Sequence, residues 1–251
     1  FGLGKKVLGE YFDTEKKGLF PNTKWKKNNL GKGWVLGETL ITGIGQGYIQ
    51  VTPLQLCLMT AQLANGGYKI YPKIINDHKD SLEDIKSKML ENKLSDVEKN
   101  ILPNIKVVED LFKETDRKYN KLYRNPENIK FVLEAMFGST NEAGGTSFAS
   151  RIDDPKYQFA GKTGTAQVKR ITEKERELEL KTSQIPYEQR DHALYIAYGP
   201  YKDPRYALSI IVEHGGSGSR TAAPIAKKLF RLIIDRHELR NKQSNYEEIS
   251  I

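Results

Sequence analysis

Three short runs in the C-terminal half limit what this chain can become. Residues 158–168 read Gln-Phe-Ala-Gly-Lys-Thr-Gly-Thr-Ala-Gln-Val, residues 192–198 read His-Ala-Leu-Tyr-Ile-Ala-Tyr, and residues 206–213 read Tyr-Ala-Leu-Ser-Ile-Ile-Val-Glu. β-Branched and aromatic residues recur in them, which suits a pleated, half-buried surface. Gly199-Pro200 and Asp203-Pro204 separate the last two. That turn chemistry predicts an antiparallel hairpin, with the first run as an edge strand beside 192–198.

Helix signals stand on either side of these runs. Thr52 is a candidate N-cap, Pro53 occupies the first helical position, and Gln55 completes a capping box. Gly66-Gly67 supplies the stop. Between them Leu54, Leu56, Cys57, Leu58, Met59, Ala61, Leu63 and Ala64 cover nearly every side. A helix apolar all round is expected to be buried on all sides, at the centre of a domain. A second helix starts at Asn125-Pro126-Glu127 and runs to Gly138, and a third begins near Pro224 with Ile225, Leu229, Leu232 and Ile233 on one face. The fold class is therefore α/β, an antiparallel sheet with helices packed on both faces.

The remainder is less regular. Residues 1–42 are rich in Gly and Lys and read as coil, with a short helical turn at Pro21–Trp25; residues 43–47 read as a loop. Two charged stretches, 76–125 and 169–190, read as helical insertions in a domain spanning 1–240, followed by a polar, frayed tail at 241–251.

The formal net charge is +8, which raises the question of nucleic acid. Residues 1–35 hold 8 Lys against 3 acids, and residues 200–242 hold 9 Lys or Arg against 4, whereas 76–125 carry 11 of each sign. No basic stripe interleaved with aromatics and no nucleic-acid motif accompanies this charge, so no nucleic-acid partner is expected. A solvated basic surface suits an anionic polymer or membrane face. The single cysteine, Cys57, excludes an internal disulfide and reads as a small buried hydrophobe. The four histidines, 78, 192, 214 and 237, show no metal-ligand spacing. No metal or organic cofactor is expected. No run reaches the ~18 apolar residues of a membrane span, and the chain begins with Phe1, so any anchor is expected upstream.

The sharpest chemical signal is Lys162-Thr163-Gly164-Thr165 inside the first strand. A glycine in mid-strand weakens the strand unless another backbone comes close. An extended acyl substrate can pair with such an edge, while the Lys and hydroxyls hold a carboxylate through charge-assisted hydrogen bonds. An ordinary surface strand with a bulge glycine would carry the same letters.

Five stretches in order turn this signal into a resemblance: FGLG with GLFPNTKWKK, GETLITGIGQGYIQVTPLQL with LANGG, NEAGGT, FAGKTGTAQV, and HALYIAYGPYKDPRYALSIIVEHGG. Together they resemble the C-terminal part of the transpeptidase domain of penicillin-binding proteins, most closely the elongation type. In that family a Ser-x-x-Lys motif bears the nucleophile and a Ser-x-Asn or Ser-x-Asp motif follows it, both before the segment matching Phe1. No Ser here is followed three residues later by Lys. Ser139-Thr140-Asn141 fits Ser-x-Asn by letter but sits in STNEAGGT, which matches a different loop, and is read as a coincidence. The fold is thus expected to be incomplete at its N-terminal side, and the chain alone is expected not to be acylated.

The resemblance implies a serine-type D-Ala-D-Ala transpeptidase, which cross-links peptidoglycan stem peptides and is acylated by β-lactams. It gives Lys162 the role of raising the positive potential and bonding the second-motif Ser. Thr163 and Thr165 would bind the terminal carboxylate, the Thr165 N–H would be half of the oxyanion hole, and Gly164 would leave room for substrate. It also implies a RodA-type glycosyltransferase partner and a place at the periplasmic face of the bacterial inner membrane. A division-type enzyme and a non-catalytic β-lactam sensor or scaffold are the alternatives.

Overall fold

The computed structural model describes residues 1–9, 11–74, 120–169 and 182–249. Contacts divide the chain into two compact units, Phe1–Ile70 with Leu122–Ile251, and Tyr71–Lys121. Most of the 76–125 stretch, and residues 170–181 of the second charged stretch, lie outside the described residues. After them come two 3-10 turns, Thr182–Gln184 and Tyr187–Gln189.

The first unit is built on a three-stranded antiparallel sheet in the order β1-β2-β3, with β1 at Ala160–Ala166, β2 at His192–Gly199 and β3 at Tyr206–Val212. Ala160 pairs with Tyr198 and Ala166 with His192; Ala193 pairs with Val212 and Gly199 with Tyr206. This is the arrangement expected from the sequence. Alternation along β2 sends its side chains to two different cores. Ala193, Tyr195 and Ala197 pack with Phe159, Ala222, Ala226 and Phe230. Ile196 and Tyr198 turn to the other face and meet Met136, Leu133, Phe137 and Ala64.

Helices supply both covers. Helix α1 spans Thr23–Leu30, α2 Leu36–Gly43, α3 Pro53–Ala64, α4 Pro126–Asn141 and α5 Ala223–Ile249. The caps of α3 and α4 are those the sequence predicts. Thr52 accepts from the Gln55 N–H, the Gln55 side chain accepts from the Thr52 N–H, and Asn125 accepts from the Glu127 N–H.

Three expectations are corrected. Residues 1–42 are not only irregular coil and short turns, because, as well as α1, α2 forms there. Its first turn is held by Glu38, which accepts from the Val35 N–H at 2.9 Å and from buried Lys26 at 2.6 Å. A carboxylate near a helix N-terminus and a buried cation thus stabilise one another. Next, α3 is not apolar and buried on all sides. Its fully buried side chains are Gln55, Thr60 and Gln62, while Leu54 is exposed and Cys57 half-buried. The two glutamines serve as hydrogen-bonding posts for the irregular N-terminal segment. Gln55 donates to the Lys5 and Lys17 carbonyls, and Gln62 donates to the Phe1 carbonyl. Finally, the polar end is helical: α5 continues to Ile249 because no Gly or Pro interrupts a run of good helix formers.

Candidate active site

Among the described residues strand β1 pairs with β2 on one side only, which leaves its other edge open there. In an antiparallel strand, alternate residues direct both N–H and C=O to the same side. The Gly161 N–H donates to Thr140 Oγ1 at 3.0 Å, the Thr163 carbonyl accepts from Lys162 Nζ at 2.9 Å, and the Thr165 carbonyl accepts from Gln46 Nε2 at 3.0 Å. Thr140 and Gln46 lie outside the sheet, and Lys162 is a β1 side chain that reaches round to the edge away from β2. The N–H groups of Thr163 and Thr165 therefore face the open edge as well.

The start of the strand is fixed by a buried polar knot. Tyr195 is fully buried, and its hydroxyl lies 2.9 Å from Thr140 Oγ1 and 3.0 Å from Ser147 Oγ. Burial pushes the Tyr195 hydroxyl above its ordinary pKa, with the two hydroxyl partners pulling the other way. It stays neutral and able to donate. A Cβ on Gly161 would stand 2.4 Å from the Tyr195 hydroxyl oxygen, so only glycine lets this ring cross β1. Asn141 adds a bond to the Phe159 carbonyl at 2.9 Å.

Beyond Gly161 the strand changes character. Lys162 and Thr165 are exposed and Thr163 and Gly164 half-exposed. Lys162 Nζ reaches the Thr163 carbonyl and, at 3.4 Å, Thr163 Oγ1. No carboxylate pairs with it among the described residues, so its charge is available to an anion. Gly164 lies opposite Leu194, with 3.1 Å between an imagined Cβ and Leu194 Cβ. The four residues singled out in the sequence thus form one continuous ledge.

Sequence reasoning missed the residues around that ledge. Gln46, from the loop after α2, spans 119 positions to reach Thr165. Thr146 lies 3.3 Å from Thr163 Oγ1 and 3.1 Å from Ser139 Oγ. Local spacing carries no sign of such long-range contacts; only the GIGQGY and NEAGGT stretches marked the segments. The structure also brings His192 and His214 together, with rings 4.8 Å apart and the His214 N–H donating to His192 Nδ1. No cluster of three metal-ligating side chains occurs among the described residues.

A sheet edge bearing Lys-Thr-Gly-Thr, backed by helices on both faces, defines a class. The penicillin binding protein transpeptidase domain matches residues 1–231, and the chain belongs to this family of serine-type D,D-transpeptidases. Among individual proteins, it is 32% identical over 246 residues to the peptidoglycan D,D-transpeptidase MrdA of Salmonella typhimurium, covering 94% of this chain and 33% of that protein. To MrdA of Acinetobacter baumannii it is 33% identical, covering 90% and 29%. The chain thus spans about a third of the length of these relatives. The crystal structure of Pseudomonas aeruginosa PBP2 superposes with a TM-score of 0.61 at 32% identity, over 90% of this chain and 40% of that one. PBP2 of Helicobacter pylori, in its complex with MreC, gives 0.62 at 26% identity, over 92% and 34%. Penicillin binding protein 3 of Mycobacterium tuberculosis shares the fold, with a TM-score of 0.56 at 20% identity over 94% and 44%.

Proposed function

We propose that this chain supplies one wall of the active site of an elongation-type peptidoglycan D,D-transpeptidase. The observation that carries the reading is the open edge of β1. There an ammonium with no carboxylate partner among the described residues, two threonine hydroxyls and two outward N–H groups stand on one ledge. A D-Ala-D-Ala end offers what such a ledge binds, a terminal carboxylate and an adjacent amide carbonyl.

In this reading a serine outside these 251 residues attacks the penultimate D-Ala carbonyl carbon. Its proton passes to a neighbouring base, which hands it on to the departing nitrogen as the C–N bond breaks and D-Ala is released. An amine of a second stem peptide then takes the acyl group and frees the serine. Thr163, Thr165 and Lys162 hold the carboxylate. The Thr165 N–H stabilises the oxyanion together with the nucleophile's own N–H, a donor worth ~2.7–4 kcal/mol in the transition state. Lys162 also bonds the serine of the second motif, and Gly164 leaves the substrate backbone room. β-Lactams acylate the same serine. The domain works at the periplasmic face of the inner membrane, carried by an anchor elsewhere in the protein. The likeness to PBP2 seen with MreC supports a partner of that type. A RodA-type glycosyltransferase follows from the elongation role.

The test has two arms. Full-length protein incubated with a fluorescent penicillin should give a covalently labelled band, with the label on a serine outside this chain. Depleting the protein should produce rounded cells. Filamentous cells would favour a division enzyme, and an unlabelled protein would favour a non-catalytic sensor or scaffold.

A further inference from the structure

A chain of hydroxyls leads from the C-terminal end of α4 to the ledge. Ser139 Oγ lies 3.1 Å from Thr146 Oγ1, which lies 3.3 Å from Thr163 Oγ1. Lys162 Nζ approaches the same Thr163 oxygen at 3.4 Å. We propose that Thr146, backed by Ser139, is a positioning residue that aims the Thr163 hydroxyl proton at the substrate carboxylate, and so sets specificity for an anionic acyl donor. The inference rests on the reading of the ledge as a carboxylate site.

A hydroxyl has one proton to give and two lone pairs to fill. Lys162 can only donate, so it fills one lone pair of Thr163. If Thr146 fills the other, the Thr163 proton has no inward acceptor on either neighbour and turns out toward the open edge. Thr146 in turn is free to donate to Thr163 when Ser139 donates to it. An anion at the edge selects this one direction of the chain, because a hydrogen bond to a charged acceptor is stronger than one between neutral groups.

The loop carrying Thr146 is held in place for this task. The Ser147 N–H and the Ser147 hydroxyl both donate to the Ser139 carbonyl, each at 3.0 Å. The Gly145 N–H donates to the Glu142 carbonyl at 2.9 Å. A Cβ on Gly145 would come within 2.5 Å of the Gly138 and Ser139 carbonyls, so glycine lets the loop lie against the helix end. Thr146 itself is exposed, so changing its hydroxyl leaves the core alone. The Ser139 side chain thereby has a use that its chance fit to Ser-x-Asn does not describe.

The experiment uses full-length protein and two probes, benzylpenicillin and its methyl ester, with the second-order acylation rate as the readout. Thr146→Val keeps the shape and deletes the hydroxyl. It should slow acylation by benzylpenicillin roughly 3- to 10-fold, the worth of one hydrogen bond, and the penalty should be absent for the ester. Thr146→Ser should restore the wild-type rate. Ser139→Ala should give a smaller loss with the same carboxylate dependence, and melting temperatures should not move. Equal losses for both probes, or no loss with either, would overturn the proposal. A wild-type protein that takes up neither probe would instead overturn the reading of the ledge itself.

Discussion

Ala160 and Gly161 at the start of β1 are fully enclosed, while Lys162 and Thr165, one and four positions beyond Gly161, stand exposed on the same strand. Ala160 packs with Met136 and Tyr198 on one face, while Gly161 lies against Tyr195 and Thr140 beside a core that leaves Phe159, Tyr195 and Phe230 with no exposed surface. Of the second pair, Thr165 accepts one hydrogen bond from Gln46 and Lys162 donates to its neighbour Thr163. One half of the strand fixes position, and the other half uses it. A binding group is most precise when it projects from a rigid element whose own partners lie elsewhere. The contrast predicts that stability and activity separate along β1 within two residues.

Substitutions in the buried half should act on stability. The largest effect is expected from Phe230→Ala. Its ring stacks on Phe159 with centroids 4.9 Å apart, and its loss should cost about 3–5 kcal/mol, read as a lower unfolding midpoint. Gly161→Ala should follow, at about 1–3 kcal/mol, because its Cβ collides with the Tyr195 hydroxyl. A neutral outcome there would mean that Tyr195 can leave the knot without cost. Tyr195→Phe should cost roughly 1 kcal/mol, since Thr140 keeps its bond to the Gly161 N–H while losing one partner. Gln46→Ala should move the midpoint by less than about 0.5 kcal/mol, as surface changes do, yet slow acylation by freeing the Thr165 carbonyl. If Gln46→Ala destabilised as much as Gly161→Ala, the exposed half would be structural too.

How much of this was legible depends on the range of each interaction. Strand order and pairing followed from three patterned runs and their turns, because pleat and turn chemistry are local. The caps at Thr52 and Asn125 were legible for the same reason. The burial of α3 was not: Leu54 and Leu58 suggested a central helix, but Gln55 and Gln62 are the enclosed residues because they bond carbonyls up to 61 positions away. Helix α2 escaped notice since its stabilising pair, Lys26 with Glu38, joins two segments that each look irregular. At the site, Lys162, Thr163, Gly164 and Thr165 announced themselves as a contiguous string. Gln46, Thr146 and Tyr195 did not, because only folding brings them to that string.

Lys162→Ala in the full-length protein tests the separation most directly, with the acylation rate by a fluorescent penicillin and the unfolding midpoint measured on the same sample. The account predicts a large loss of rate, partly recovered by Lys162→Arg, which keeps the charge in a different shape. It predicts an unfolding midpoint indistinguishable from wild type, since the side chain is exposed and pairs with no carboxylate among the described residues. A wild-type acylation rate in Lys162→Ala, or a rate lost only in step with stability, would contradict it.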